Sequence, residues 1–408
     1  MRQPNSRRES TPHRVAERAI DLYSRAASDW SQAPFVLARG LRGARELHSR
    51  ERRAVMEAVY GMIRMRRRLA FLATGRDDAP ADVLYQALSA TLDASPLSAI
   101  ADPIVRLAVT ESVPDWIARR LADERGIDDA AKLLAAMNRR APLTVRANRI
   151  KNTREELAER LRAEKIESRP HPLAPDALEL DTHVNAYGLE AFKQGRFELQ
   201  DAGSQLIAEL CALPLRGTIV DACAGAGGKT LALGALAGNK GRMVALDVSA
   251  KKLDELRERA RRAGLTNVQA IAVENGAPES LLGRADRVLC DAPCSGLGVL
   301  RRNPEARWRL SPADLDELPR TQRAILDSYA PLVKEGGRLI YATCTVTRSE
   351  NDEVVDAFLA AHPSFREVQS REILGTARAL QIGDGTRLRL LPHVHDTDGF
   401  FAAVMRKV

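Results

Sequence analysis

The stretch Asp221-Ala-Cys-Ala-Gly-Ala-Gly-Gly-Lys-Thr230 decides how the rest of the chain is read. It sits between an apolar strand, 218–222, and the helix that follows, where α/β proteins hold nucleotide-like ligands. Gly228-Lys229-Thr230 matches the end of a phosphate-binding P-loop, but the glycine that motif needs five places before Gly228 is replaced by Cys223. The dinucleotide fingerprint fits Gly225 and Gly227, then meets Thr230 where its third glycine belongs. Each reading fails by one residue. The loop alone therefore does not choose a ligand, and a tight turn that needs its glycines only for packing stays open.

Working outward, strands at 218–222, 242–247, 268–273, 287–291 and 338–343 alternate with helical stretches such as 250–263 and 319–332. That order predicts a mainly parallel sheet with helices on both faces and ligands at the carboxyl ends of the strands. Asp221 closes the first strand and Asp247 the second, in Ala245-Leu-Asp-Val-Ser249. A carboxylate in the second position can accept both ribose hydroxyls of an adenosine, and a glycine-lined loop lets the cofactor lie against the backbone.

Two further strand ends carry thiols: Asp291-Ala-Pro-Cys-Ser-Gly296 and Tyr341-Ala-Thr-Cys-Thr345. Cytosine C5 is too poor a nucleophile to attack a sulfonium methyl directly. A thiolate that adds to C6 turns C5 into an enamine-like carbon, and a base must later remove the C5 proton so that the thiolate can leave. Asp291 can contact the N3/N4 edge of the base and stabilise the N3-protonated adduct. On this chemistry the favoured ligand is S-adenosylmethionine. Cys211, Cys223 and Cys290 read as small buried hydrophobes. The spacing of Cys290 and Cys294, with no His nearby, does not suit zinc, so no metal is expected.

The chain has 408 residues, 45% hydrophobic and 28% charged, which excludes wholesale disorder. No apolar run reaches the roughly 18–20 residues that span a bilayer, and the polar start carries no secretory h-region. Five cysteines are too few and too odd a number for a disulfide framework, so a cytoplasmic protein with no membrane partner is expected. The charge is uneven: residues 1–68 hold 16 Arg, no Lys and 7 acidic residues, a balance of +9 within a chain of net +8. A basic end on a near-neutral body points to nucleic acid, although an arginine-rich solvated surface would look the same. Residues 11–140 read as successive helices, with Val55, Val59, Met62 and Ile63 on one stripe. A small α/β insert follows, with 10 basic residues between Arg139 and Arg169.

The strings DACAGAGGKT, ALDVS, DAPCSGLGVLRRNPEARWR, YATCTVTRSEND and TDGFFAAVMRK closely resemble the RsmB/Sun/Nop family of RNA (cytosine-5) methyltransferases, over about residues 195–408. The resemblance implies a multidomain chain: an all-α NusB-like RNA-binding domain at 1–138, a small α/β RNA-binding subdomain at 139–205, and an α/β Rossmann-like class I methyltransferase domain at 206–408. It makes Cys344 the nucleophile and Cys294 the cysteine that releases the product. The cofactor loop falls on Cys223, Ala224, Gly225, Ala226, Gly227, Gly228 and Lys229, the ribose acid on Asp247, and a base and cofactor contact on Asp291. A further cofactor-contacting acid of the family, near the adenine, falls on Asn275, a departure that weakens that contact.

Lys229 is expected to hold Asp291 or a substrate phosphate. Arg301, Arg302, Arg307 and Arg309, in a proline-containing loop, are expected to grip phosphates beside the extruded base, with Trp308 either stacking on a base or anchoring the loop. The expected protein is a monomeric, S-adenosylmethionine-dependent enzyme that forms 5-methylcytosine in 16S rRNA. Transfer RNA is the alternative substrate. A non-catalytic NusB-like assembly or antitermination factor is the alternative of a different class, disfavoured because binding alone has no need of two placed thiols.

Overall fold

The sequence periodicities are realised in a computed structural model that describes residues 11–42, 47–180, 184–214, 216–274 and 276–408. The chain divides into two units: Met1–Arg139 with Leu300–Pro312, and Arg140–Val299 with Ala313–Val408.

The first unit is helical. Its longest helix, Ser49–Thr74, buries Val55, Val59, Met62 and Ile63 against Leu22, Leu37 and Leu84, as their spacing requires, and stops at Gly75 in the left-handed conformation. Helix Pro103–Thr110 begins where Asp102 accepts hydrogen bonds from the amides of Ile104 and Val105.

Segment Leu300–Pro312 belongs to this unit, and here the expectation for Arg307 is overturned. Arg307 is 1% exposed, and its Nη1 donates to Asn138 Oδ1 at 2.8 Å and to the carbonyls of Arg64 and Ser112 at 3.2 Å. Those acceptors stand beside the non-helical Met65, just past helix Pro103–Thr110, and at the C-cap of helix Ile127–Met137. Helix ends leave carbonyls without donors, and one guanidinium serves two such carbonyls together with the Asn138 side chain. Burial pushes the Arg307 pKa down to about 9. Trp308 is an anchor: its Nε1 donates to the carbonyl of Ile63 at 2.8 Å, and the Arg66 guanidinium lies over its ring.

The second unit holds two sheets. The smaller is antiparallel, from β1 (Leu143–Ala147), β2 (Ser168–Pro170), β3 (Ala177–Leu180) and β4 (Phe197–Leu199) in the order β2-β3-β1-β4. Helix Arg154–Ala163 packs on it, started by a reciprocal cap between Thr153 and Glu156.

The larger sheet contains β5 (Thr218–Asp221), β6 (Arg242–Asp247), β7 (Val268–Ala272), β8 (Ala285–Asp291), β9 (Val333–Thr343), β10 (Phe365–Val368), β11 (Leu388–Leu390) and β12 (Phe400–Lys407). Its order is β7-β6-β5-β8-β9-β12-β10, with β11 also on β12. Strands β5 to β9 pair in parallel, and β12 pairs antiparallel with β9, β10 and β11. Apolar clusters cover both faces, as a buried parallel sheet demands. The helix expected from Pro319 begins at Pro312 and carries Pro319 inside it. Its buried face of Leu315, Gln322, Leu326 and Tyr329, with Pro319 itself buried, outweighs the lost backbone donor.

Candidate active site

Parallel register brings Asp221, Asp247, Asp291 and Thr343 to one edge of the sheet, at the carboxyl ends of β5, β6, β8 and β9. The glycine loop leaves β5 there. Asp247 shapes it: Oδ2 accepts from the Gly225 amide and Oδ1 from the Ser249 amide, both at 2.8 Å. Gly227 has φ +86°, and a Cβ there would stand 2.5 Å from Leu256 Cγ, so conformation and packing both require glycine. At Gly225 and Gly228 a Cβ would meet nothing within 4 Å, which leaves the backbone open to a ligand.

The Ala224 amide is tied to the Leu246 carbonyl at 2.9 Å, and the Ala226 carbonyl accepts from Arg259 at 2.6 Å. Cys223 is half-buried. Burial, then the charges of Asp221, Asp291 and Asp247, push its pKa up to about 12. Asn275 lies outside the described residues.

Beneath the loop, Thr230 Oγ1 donates to Asp221 Oδ2 at 2.6 Å, and Asp221 is fully buried. Burial raises the Asp221 pKa to about 7. The Thr230 hydrogen bond opposes that rise, and the Asp291 charge adds to it. Lys229 opens helix Gly228–Leu236, and because β5 neighbours β8 its Nζ reaches Asp291 Oδ2 at 2.7 Å. Burial works against the Lys229 ammonium, but the charge and hydrogen bond of Asp291 outweigh it and hold the pKa above its ordinary value.

The two cysteines meet because β8 and β9 are adjacent. Asp291 pairs with Ala342, and the Ala292 amide donates to the Ala342 carbonyl at 2.9 Å, so the loops that follow run side by side. Cys294 Sγ lies 3.3 Å from Cys344 Sγ and accepts from the Cys344 amide at 3.4 Å. The hydrogen bond to Cys344 first, then burial, then the charges of Cys344 and Glu350, hold the Cys294 pKa well above the ordinary thiol value. Cys294 is thus held as a thiol, and either sulfur can donate in its contact with Cys344. The other buried thiols, Cys211 and Cys290, are also raised, chiefly by burial. Among the described residues no group of three or more His, Cys, Asp or Glu side chains is placed to hold a metal ion.

Glu350 went unnoticed in the sequence. It is fully buried, and its five hydrogen-bond partners are all neutral. Oε1 accepts from the hydroxyls of Ser295, Thr345 and Thr347 at 2.6, 3.1 and 3.0 Å. Oε2 accepts from the Ser295 amide at 2.8 Å and from Gln322 Nε2 at 3.1 Å. Ser295 follows Cys294 and Thr345 follows Cys344, so one carboxyl group clamps both thiol loops. Gly298 completes the contact: its amide donates to the Cys344 carbonyl at 3.0 Å, and a Cβ there would lie 2.2 Å from the Gly399 carbonyl oxygen. The available signal was a glutamate among hydroxyl residues in Thr343-Cys-Thr-Val-Thr-Arg-Ser-Glu-Asn351.

Comparison with known proteins agrees with this geometry. Residues 212–406 match the family described as 16S rRNA methyltransferase RsmB/F, and residues 113–187 its RsmF/B-like ferredoxin-like domain. The chain is 39% identical over 311 residues to a probable ribosomal RNA small subunit methyltransferase B of Bacillus subtilis, covering 76% of this chain and 69% of that protein. It is 34% identical to a similarly named Synechocystis protein, covering 74% and 68%. In fold it is similar to the crystal structure of PH0851 (TM-score 0.80, 23% identity, covering 96% and 98%). It is also similar to NSun6 of Pyrococcus horikoshii (TM-score 0.63, 22% identity, covering 73% and 99%). The paired strand-end thiols, the glycine loop with its acid, and these matches together establish that the chain belongs to the RsmB/F family of S-adenosylmethionine-dependent 16S rRNA methyltransferases.

Proposed function

We propose that this protein methylates C5 of a cytosine in small-subunit ribosomal RNA through a covalent adduct on Cys344. The observation that carries the proposal is the pairing of Cys344 with Cys294 at 3.3 Å, at the sheet edge where Lys229 holds Asp291. The glycine loop and Asp247 suit an adenosyl group, because Gly225 and Gly228 face open space and Asp247 stands at the end of β6. S-adenosylmethionine, when bound, supplies an electrophilic methyl group.

The side chains of this protein do the rest. The Cys344 proton moves to N3 as the sulfur adds to C6 and returns when Cys344 leaves, while Asp291, fixed by Lys229, accepts from the N3/N4 edge of the base and stabilises the protonated adduct. Once Cys344 is a thioether it no longer holds the Cys294 proton, which passes to solvent. Cys294 then takes the C5 proton of the methylated adduct and Cys344 leaves, with one proton released per methyl transferred. The helical first unit, with its arginine-rich start, acts as a NusB-type RNA-binding module.

The test is base-resolution bisulfite mapping of 16S rRNA and of transfer RNA after incubation with the protein and S-adenosylmethionine. A protected cytosine in 16S rRNA with the wild type, and none with Cys344→Ala, is the expected result. Methylation confined to transfer RNA would transfer the proposal to that substrate, and methylation of any position other than cytosine C5 would overturn it.

A further inference from the structure

Away from the thiols, a cavity of about 230 Å³ lies between β1 of the small sheet and the helices Ala202–Leu210 and Gly228–Leu236. Arg146, only 4% exposed, borders it. Its Nε donates to Gln200 Oε1 at 2.6 Å, but its two Nη atoms make no hydrogen bond among the described residues. Arginine carries five N–H donors, and the Arg146 Nη groups, without a partner among the described residues and not sealed from solvent, are open to a ligand in the cavity. Burial pulls the Arg146 pKa down to about 10, against the pull of Glu198 and Asp176.

Each nearby carboxylate already has its own cation. Asp176 receives Arg149 Nε on both oxygens at 2.7 Å. Glu209 receives Arg378 at 3.0 and 3.3 Å, and Glu198 is shared by Arg259 and Arg262. Arg146 is therefore the uncompensated charge of the group. In the same wall Gln205 Oε1 is buried with no partner, while its Nε2 is occupied by the Gln200 carbonyl. The carboxylates of the wall, Asp176 and Glu209, are thus taken by Arg149 and Arg378, and none is left for Arg146.

We propose that this cavity is a binding site for a phosphate group, held by the Arg146 guanidinium. Guanidinium and phosphate match in charge and fork geometry. The same chemistry is offered by a ribose-phosphate of the RNA backbone and by a small free phosphate compound. The site is separate from the thiols and does not depend on how they react.

Inorganic phosphate is the probe, titrated into the full-length protein at constant ionic strength and followed by thermal unfolding and ³¹P line width. Saturable binding is expected, weakened about tenfold or more in Arg146→Met, the scale of one charge-assisted hydrogen bond. Two rim variants decide the matter even if Arg146→Met fails to fold. Arg149→Gln strips Asp176 of its cation and weakens phosphate binding, whereas Asp176→Asn strengthens it. Phosphate that lowers the RNA affinity of the wild type but not of Arg146→Met identifies the RNA backbone as the natural source. Unchanged RNA affinity identifies a free phosphate compound. Absence of saturable binding to the wild type, or binding that Arg149→Gln and Asp176→Asn leave unmoved, overturns the proposal.

Discussion

Cys294 Sγ and Cys344 Sγ stand 3.3 Å apart, each on the loop that leaves one of two neighbouring parallel strands. At that distance one thiol can donate a hydrogen bond to the other, so a change at one sulfur is felt at the other. Cys294 is held as a thiol by the hydrogen bond to Cys344 first, then by burial and the charges around it. Consuming Cys344 as a thioether removes the first of these restraints. In the proposed mechanism the proton acceptor is therefore released only after the nucleophile has been used.

Asp247 joins the glycine loop to the end of β6 through the Gly225 amide. Asp247→Ala should weaken S-adenosylmethionine binding by about 1.5–3 kcal/mol, the range for hydrogen bonds to a charged group. Isothermal calorimetry measures it, and an unchanged affinity would remove Asp247 from the cofactor site.

Asp221 gives stability a definite pH dependence. Its folded pKa, about 7, lies above its ordinary 3.8. Below pH ~4 both folded and unfolded chains hold the proton. Between there and pH ~7 the unfolded chain ionises while the folded one does not, so stability falls as pH rises. Each tenfold change in proton affinity is worth about 1.4 kcal/mol, so the loss approaches about 4 kcal/mol. Asp221→Asn keeps an acceptor for Thr230 and should gain on the wild type, in urea unfolding, as pH rises through this window. Parallel pH profiles for the two proteins would contradict the assignment.

Glu350 holds both thiol loops through five neutral donors. Glu350→Gln turns an acceptor into a donor that faces other donors, at about 1–3 kcal/mol for the bonds left unmade. The variant should lose kcat while keeping the cofactor affinity and the RNA KM of the wild type, and Glu350→Ala should lose more. Equal losses in kcat and in cofactor affinity would mean that Glu350 supports the fold at large rather than the spacing of the thiols.

Strand ends were legible in the sequence where an apolar run stops at a carboxylate or a thiol, as at Asp221, Asp247 and Asp291. The parallel order of β5 to β9 followed from their alternation with helices. The bonds from Thr345 and Thr347 lie within the stretch around Glu350, but those from 295 and 322 were not legible, because these residues reach Glu350 only when the chain folds β8 beside β9. Arg307 misled for a similar reason. An arginine in a proline-containing loop reads as solvent-facing, and the carbonyls it satisfies, together with Asn138, lie 169 to 243 residues away. Local pattern cannot show a helix end waiting for a donor from so distant a segment.

The central claim is that Cys344 forms the adduct and Cys294 resolves it. Incubating Cys294→Ala with substrate RNA and S-adenosylmethionine, then separating the products on a denaturing gel, tests it most directly. A protein–RNA band that survives denaturation is expected with Cys294→Ala, and none with Cys344→Ala or the double variant. A band from Cys344→Ala and none from Cys294→Ala, or methylation that persists in Cys344→Ala, would contradict the account.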